Sequence, residues 1–154
     1  MIGAARNGVM TEETKAIFSI PAASAPVTAQ RAAALSPTTL AFVGDGVQSL
    51  YVRARLALCH EAKSGALHKL SVRSVSAAAQ ARSVERLLSE FTEDELSVYK
   101  RARNAKTGSV SKNAQVVDYR KATGLEAVLG YLYLSGQTER LALFLEETAK
   151  DMAL

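Results

Sequence analysis

At 154 residues, 48% of them apolar and 22% charged, the chain has the length of one globular domain and enough apolar material to bury a core. Its net charge of +4 leans toward polyanionic partners, and its single cysteine excludes an intrachain disulfide or a cysteine-built zinc cluster, which fits a reduced, cytoplasmic protein. No run approaches the ~20 apolar residues of a membrane span, and no Ser-His-Asp order, Walker loop or dinucleotide glycine fingerprint is present.

Residues 1–33 are rich in Ala, Ser and Thr, poor in large apolar side chains and interrupted by Pro21 and Pro26, so they read as an appendage, flexible or weakly helical. A short helix fits Met10 to Phe18, and Glu12 and Glu13 there argue against a targeting peptide. The main domain is expected over 34–154. It opens at Ser36 and Pro37, an N-cap followed by a proline in the first turn, after which Leu40, Val43, Val47, Leu50, Tyr51, Ala54 and Leu58 recur at helical spacing and predict a core-facing stripe. Ala41, Phe42, Val52 and Leu56 make the same helix apolar on its other sides. It is therefore central, with Phe42, Val52 and Leu56 available to a second subunit. Gly44 and Gly46 each weaken it by about 1 kcal/mol relative to alanine, which predicts a close approach to the backbone there.

Two helical segments are expected from Ala66 to Glu90. His60 and His68 lack metal-site spacing. Thr92-Glu93-Asp94-Glu95 is a capping box that opens the next helix, and its acids suit a helix N-terminus rather than a metal. Lys100, Arg101, Arg103, Lys106, Lys112, Arg120 and Lys121 then crowd a stretch whose only acid is Asp118, filled out by Gly, Ser, Thr and Asn; it reads as a basic, partly irregular loop. The following helix carries a stripe of Leu125, Val128, Leu129 and Leu132, and a last helix follows Gly136. No strand alternation of useful length occurs, so the fold class is all-α.

Asp45 is the only charged side chain between Arg31 and Arg53, and Glu126 the only one between Lys121 and Glu139. A buried carboxylate without a cationic neighbour is costly unless it binds a cation, so the pair points to a divalent metal.

Phe42-Val43-Gly44-Asp45-Gly46-Val47 resembles the signature of the ribonuclease III catalytic domain, and Leu125-Glu126-Ala127-Val128-Leu129-Gly130 resembles that domain's second acidic motif. Tyr51-Val52-Arg53, Leu67-His68-Lys69, Val75-Ser76-Ala77 with Gln80, and Arg101-Ala102-Arg103-Asn104-Ala105-Lys106 leading through Lys112-Asn113 to Tyr119-Arg120 are similar to the Mini-III branch, which lacks a separate double-stranded-RNA-binding domain. The wider pattern has a Glu four residues before the Asp and an Asp three residues before the Glu. Ala41 and Thr123 stand there in this chain, and Mini-III resembles it in lacking both acids.

The resemblance implies a helical, homodimeric endoribonuclease that cuts both strands of double-stranded RNA, with precursor ribosomal RNA (23S ends) as substrate and a ribosomal protein as possible helper. It implies Asp45 and Glu126 as catalytic ligands of Mg2+, for which Mn2+ can substitute, with water and RNA oxygens completing the shell. RNA contacts fall to Arg101, Arg103, Asn104, Lys106, Lys112, Asn113, Arg120, His68, Lys69 and Arg73, which can meet phosphates, ribose hydroxyls or base edges of the wide minor groove. Two alternatives stay open: a non-catalytic ribonuclease III-like module, against which the retained acids speak, and an all-α nucleotide pyrophosphatase, which would also use magnesium and helical acids and needs a Glu-x-x-Glu pair.

Overall fold

The structure, a computed structural model, describes residues 26–105 and 114–150. Among them are helices α1 (Ala29–Ala33), α2 (Pro37–Cys59), α3 (Ser64–Ser74), α4 (Ala77–Leu87), α5 (Glu93–Arg103), α6 (Ala114–Leu134) and α7 (Thr138–Ala149), with a 3-10 turn at Leu88–Glu90 and no strand. No described helix is long and apolar enough to cross a membrane. The all-α expectation holds for the described residues.

Local chemistry sets the helix ends. The Ser36 hydroxyl accepts the Thr39 N–H at 3.1 Å with Pro37 in the first turn of α2. At α5 the Thr92 hydroxyl accepts from Glu95 N at 3.2 Å while Glu95 accepts from Thr92 N at 2.9 Å, the reciprocal capping box read from the sequence. Glu95 is buried, and Arg140 of α7 answers its charge at 2.7 Å, so the cap also ties two helices together. Helix α6 ends at Gly136, φ +69°, where Gln137 N bonds Leu132 O and Gly136 N bonds Tyr133 O in a Schellman turn that only glycine enters without strain.

The centre of the domain is α6. Leu125, Val128, Leu129 and Leu132 are all fully buried, as their spacing predicts, and α2, α4 and α5 pack around them. The nearest neighbour is α2. A Cβ built on Gly44 would lie 1.7 Å from the carbonyl oxygen of Glu126, and one built on Gly130 would lie 2.0 Å from that of Leu40, so the two backbones touch at a crossing that excludes any side chain from both sides. Gly46, by contrast, has nothing within 4 Å of such a Cβ, and the close approach expected there is absent.

That crossing rotates α2 away from the face its leucine and valine spacing suggests. The buried side holds Leu40, Ala41, Gly44, Gln48, Tyr51, Val52 and Leu56, while Leu50 and Leu58 of the expected stripe are exposed. Val52 and Leu56, expected at a subunit interface, are buried within the protomer; Phe42 remains 81% exposed. Residues 26–33 pack on the domain, with Ala32 fully buried and Val27 N bonded to Leu134 O at 2.9 Å. The basic stretch is helical at both ends: Lys100, Arg101 and Arg103 form the last turn of α5, where cations complement the helix dipole, and Arg120 and Lys121 lie in α6. Met10 to Phe18, Lys106, Lys112 and Asn113 lie outside the described residues.

Candidate active site

The crossing of α2 and α6 brings the two stranded acids together. Asp45 follows the contact glycine Gly44 and is exposed; Glu126 supplies the carbonyl that Gly44 abuts, and its side chain is half-buried between the buried Leu125 and Ala127. From α4, Gln80 Nε2 donates to Glu126 Oε1 at 3.0 Å and to Gln48 Oε1 of α2 at 2.5 Å. Three helices thus meet at one carboxylate.

Burial pushes the Glu126 carboxyl up to about 7; the charge of Asp45 adds to the shift, and the Gln80 hydrogen bond opposes it. Neither carboxylate forms an ion pair among the described residues, whereas the fully buried acids do: Glu95 with Arg140, and Glu147 with Arg86 at 2.8 Å and Lys150 at 2.5 Å. A desolvated, unneutralised carboxylate beside a second one, both hard oxygen donors, fits a divalent cation of the magnesium type. No group of three or more His, Cys, Asp or Glu that would build a fuller cage occurs among the described residues. Such an ion would take its remaining ligands from water and substrate.

The RNA-contact candidates spread over several elements. Arg73 and Arg82 line an open cleft of about 360 Å³ at the corner between α3 and α4, with Ser74 and Ser76, just ahead of the Gln80 turn. His68 lines a second cleft, about 550 Å³, with Arg53 and Ser64 between α2 and α3, and Lys69 beside it is exposed. Arg103 stacks over the Tyr99 ring at 5.5 Å and donates to Asn104 Oδ1 at 3.2 Å. Arg101 is partly structural, since its guanidinium donates to the carbonyl of Ala33 at 2.5 Å, and Arg120 is half-buried in α6.

Gln80 was legible as part of a motif but not as the partner of Glu126, and Gln48 was not singled out at all. The available signal was Gln80 alone among Ala77, Ala78, Ala79 and Ala81, and Gln48 one helical turn beyond Gly44 on the face that meets α6. The chain's one Glu-x-x-Glu spacing, Glu90 to Glu93, straddles the end of the 3-10 turn and the start of α5 with extended residues between. Its acids share no helical face, which disfavours a pyrophosphatase.

The profile of the Ribonuclease III domain matches residues 38–137. Mini-ribonuclease 3 of Brevibacillus brevis is 50% identical over 107 residues, covering 70% of this chain and 80% of the relative, and that of Staphylococcus aureus is 43% identical over 115 residues, covering 73% and 86%. The crystal structure of protein FN1578 from Fusobacterium nucleatum superposes with a TM-score of 0.68 at 28% identity, covering 80% of this chain and 98% of that one. The chain therefore belongs to the ribonuclease III family, within its Mini-ribonuclease 3 branch, and is an endoribonuclease.

Proposed function

We propose that the phosphodiesters of double-stranded RNA are hydrolysed at Asp45 and Glu126, which hold magnesium, with manganese able to replace it. The observation that carries this reading is the half-buried Glu126, pushed up to about 7 with no ion-pair partner beside Asp45, in a chain of nuclease ancestry. When bound, the ion supplies Lewis acidity that activates water and offsets charge on the leaving oxygen. The protein's share is positional. The Gly44–Gly130 crossing fixes the separation of the two carboxylates, Gln80 holds one oxygen of Glu126, and the positive side chains of α3, α4 and the α5–α6 connection hold phosphates without reading sequence.

Two such sites are needed to cut both strands, and the exposed Phe42 on α2 supports a two-fold homodimer built on that face. Precursor ribosomal RNA in the cytoplasm is the substrate this reading favours, with a ribosomal protein as a possible aid to its presentation. The test is incubation of labelled duplex RNA, with and without magnesium, beside a nucleoside triphosphate as the competing substrate. Cleavage of the duplex alone, lost in Asp45→Asn and in Glu126→Gln while duplex binding persists, is the expected result. Normal cleavage by either variant would overturn the assignment.

A further inference from the structure

Glu126, Gln80 and Gln48 form a chain of hydrogen bonds whose direction is fixed by its end. When Glu126 is ionised, as a cation ligand must be, its carboxylate only accepts, so Gln80 then turns its Nε2 toward it. The same nitrogen carries a second hydrogen, which reaches Gln48 at 2.5 Å, so Gln48 must present its Oε1. Both amides are almost completely buried, at 2% and 1% exposure. With its oxygen committed, Gln48 leaves Nε2 buried without a hydrogen-bond partner among the described residues. A core built for stability alone would place apolar groups here, since an unsatisfied buried donor is a cost that packing does not return.

We propose that Gln80 is a positioning residue for Glu126, and that Gln48, by accepting the second N–H of the Gln80 amide, steadies it in the donating orientation that the carboxylate selects. Gln80 engages Oε1 and restricts the carboxylate's rotamer, so that the second oxygen would be held ready to ligate a cation. Gln48 adds to the cost of an amide flip that would set Gln80 Oε1 against the carboxylate. Fixing a metal-ligating group through a hydrogen-bonded partner is how outer residues set the affinity of a site. The inference rests on the reading of Glu126 as a metal ligand.

The test is Gln80→Met, which keeps the side chain's length and removes its donor, with magnesium binding measured by calorimetry on the RNA-free protein, kcat and KM on a duplex, and thermal melting. Magnesium affinity and kcat should each fall by about 10- to 100-fold, with KM nearly unchanged. Gln48→Met should shift both in the same direction by less. The double variant should be no worse than Gln80→Met alone, because the two residues act through one contact. If Gln80→Met does not fold, Gln48→Met carries the test by the same two readouts. A lowered melting temperature with unchanged metal affinity and kcat would make the chain of amides merely structural and overturn the inference. Glu126→Gln run in parallel separates the two failures: retained metal binding and cleavage in that variant sinks the carboxylate reading, whereas its inactivation beside a normal Gln80→Met sinks only the role of Gln80.

Discussion

Gly44 and Glu126 touch backbone to backbone, the Cα of one against the carbonyl of the other, so the residue next to one acid sets the place of the other. Any side chain at Gly44 must push α2 off α6, since the blocking atom is main chain and cannot rotate away. Gly44→Ala should therefore cost about 1–3 kcal/mol of stability and, by displacing Asp45 from Glu126 by as little as 1 Å, on the order of 100-fold in cleavage rate. Gly46→Ala faces open space and gains helix propensity, so it should be more stable than the parent by up to about 1 kcal/mol. Thermal melts and single-turnover cleavage of the two variants check this, and equal tolerance of alanine at both positions would contradict the crossing.

The contrast between these glycines shows what the sequence could and could not say. Both weaken a helix equally, so propensity flags the pair, but which one faces a neighbour depends on the rotation of α2 about its own axis. That rotation is set by α6. The spacing of large apolar residues on α2 pointed to a face containing Leu50 and Leu58, because small and polar residues such as Gly44 and Gln48 carry no weight in a hydrophobic stripe. Helix α6 was legible because its stripe is made of leucine and valine and is fully buried. The acids were legible as isolated charges, while Gln80 was legible only as part of a motif, since a glutamine in an alanine-rich helix looks equally suited to solvent until the carboxylate it meets is known.

Burial that raises a carboxyl is also a statement about stability. With its folded pKa at about 7, above the ordinary value of 4.5, Glu126 binds its proton more tightly folded than unfolded. Its contribution is most favourable below 4.5, is lost as the pH rises toward 7, and levels off above that. In the absence of divalent ions Glu126→Gln should therefore be more stable than the parent at pH 8, by about 1–2 kcal/mol after discounting for partial exposure, and nearly equal to it at acid pH. Urea unfolding in the presence of a chelator at the two pH values measures this. A variant less stable than the parent at pH 8 would mean that the carboxylate is neutralised by something other than a metal.

Phe42 is the large apolar side chain that α2 leaves most exposed, at 81%, and it lies three residues before Asp45. If it seats against a second copy, Phe42→Asp should convert a dimer to a monomer in sedimentation and lower cleavage of both strands, with the helical content kept. Val52→Ala should not dissociate the dimer but should lower the melting temperature, because Val52 is buried within the protomer. A parent protein that is monomeric and fully active at nanomolar concentration would remove the two-site arrangement.

The cations proposed to hold phosphates can be sorted by what else they do. Arg101 spends its guanidinium on the Ala33 carbonyl, so Arg101→Gln should lower stability and change RNA affinity little. Lys69 is exposed and Arg73 lines the cleft ahead of α4; each, replaced by Gln, should weaken duplex binding and reduce the log–log salt slope by up to about 0.7–0.9, the share of one phosphate contact. Lys106→Gln and Lys112→Gln belong to the same class by charge. Asn104 and Asn113 are different: an amide that reads ribose or base edges carries no counterion, so its replacement should leave the slope alone and move the preferred cleavage positions in a long duplex. Measuring affinity at several salt concentrations and mapping cut sites on one substrate separates the classes, and an Arg101→Gln slope that falls as far as that of Arg73→Gln would show that the Ala33 contact opens when RNA binds.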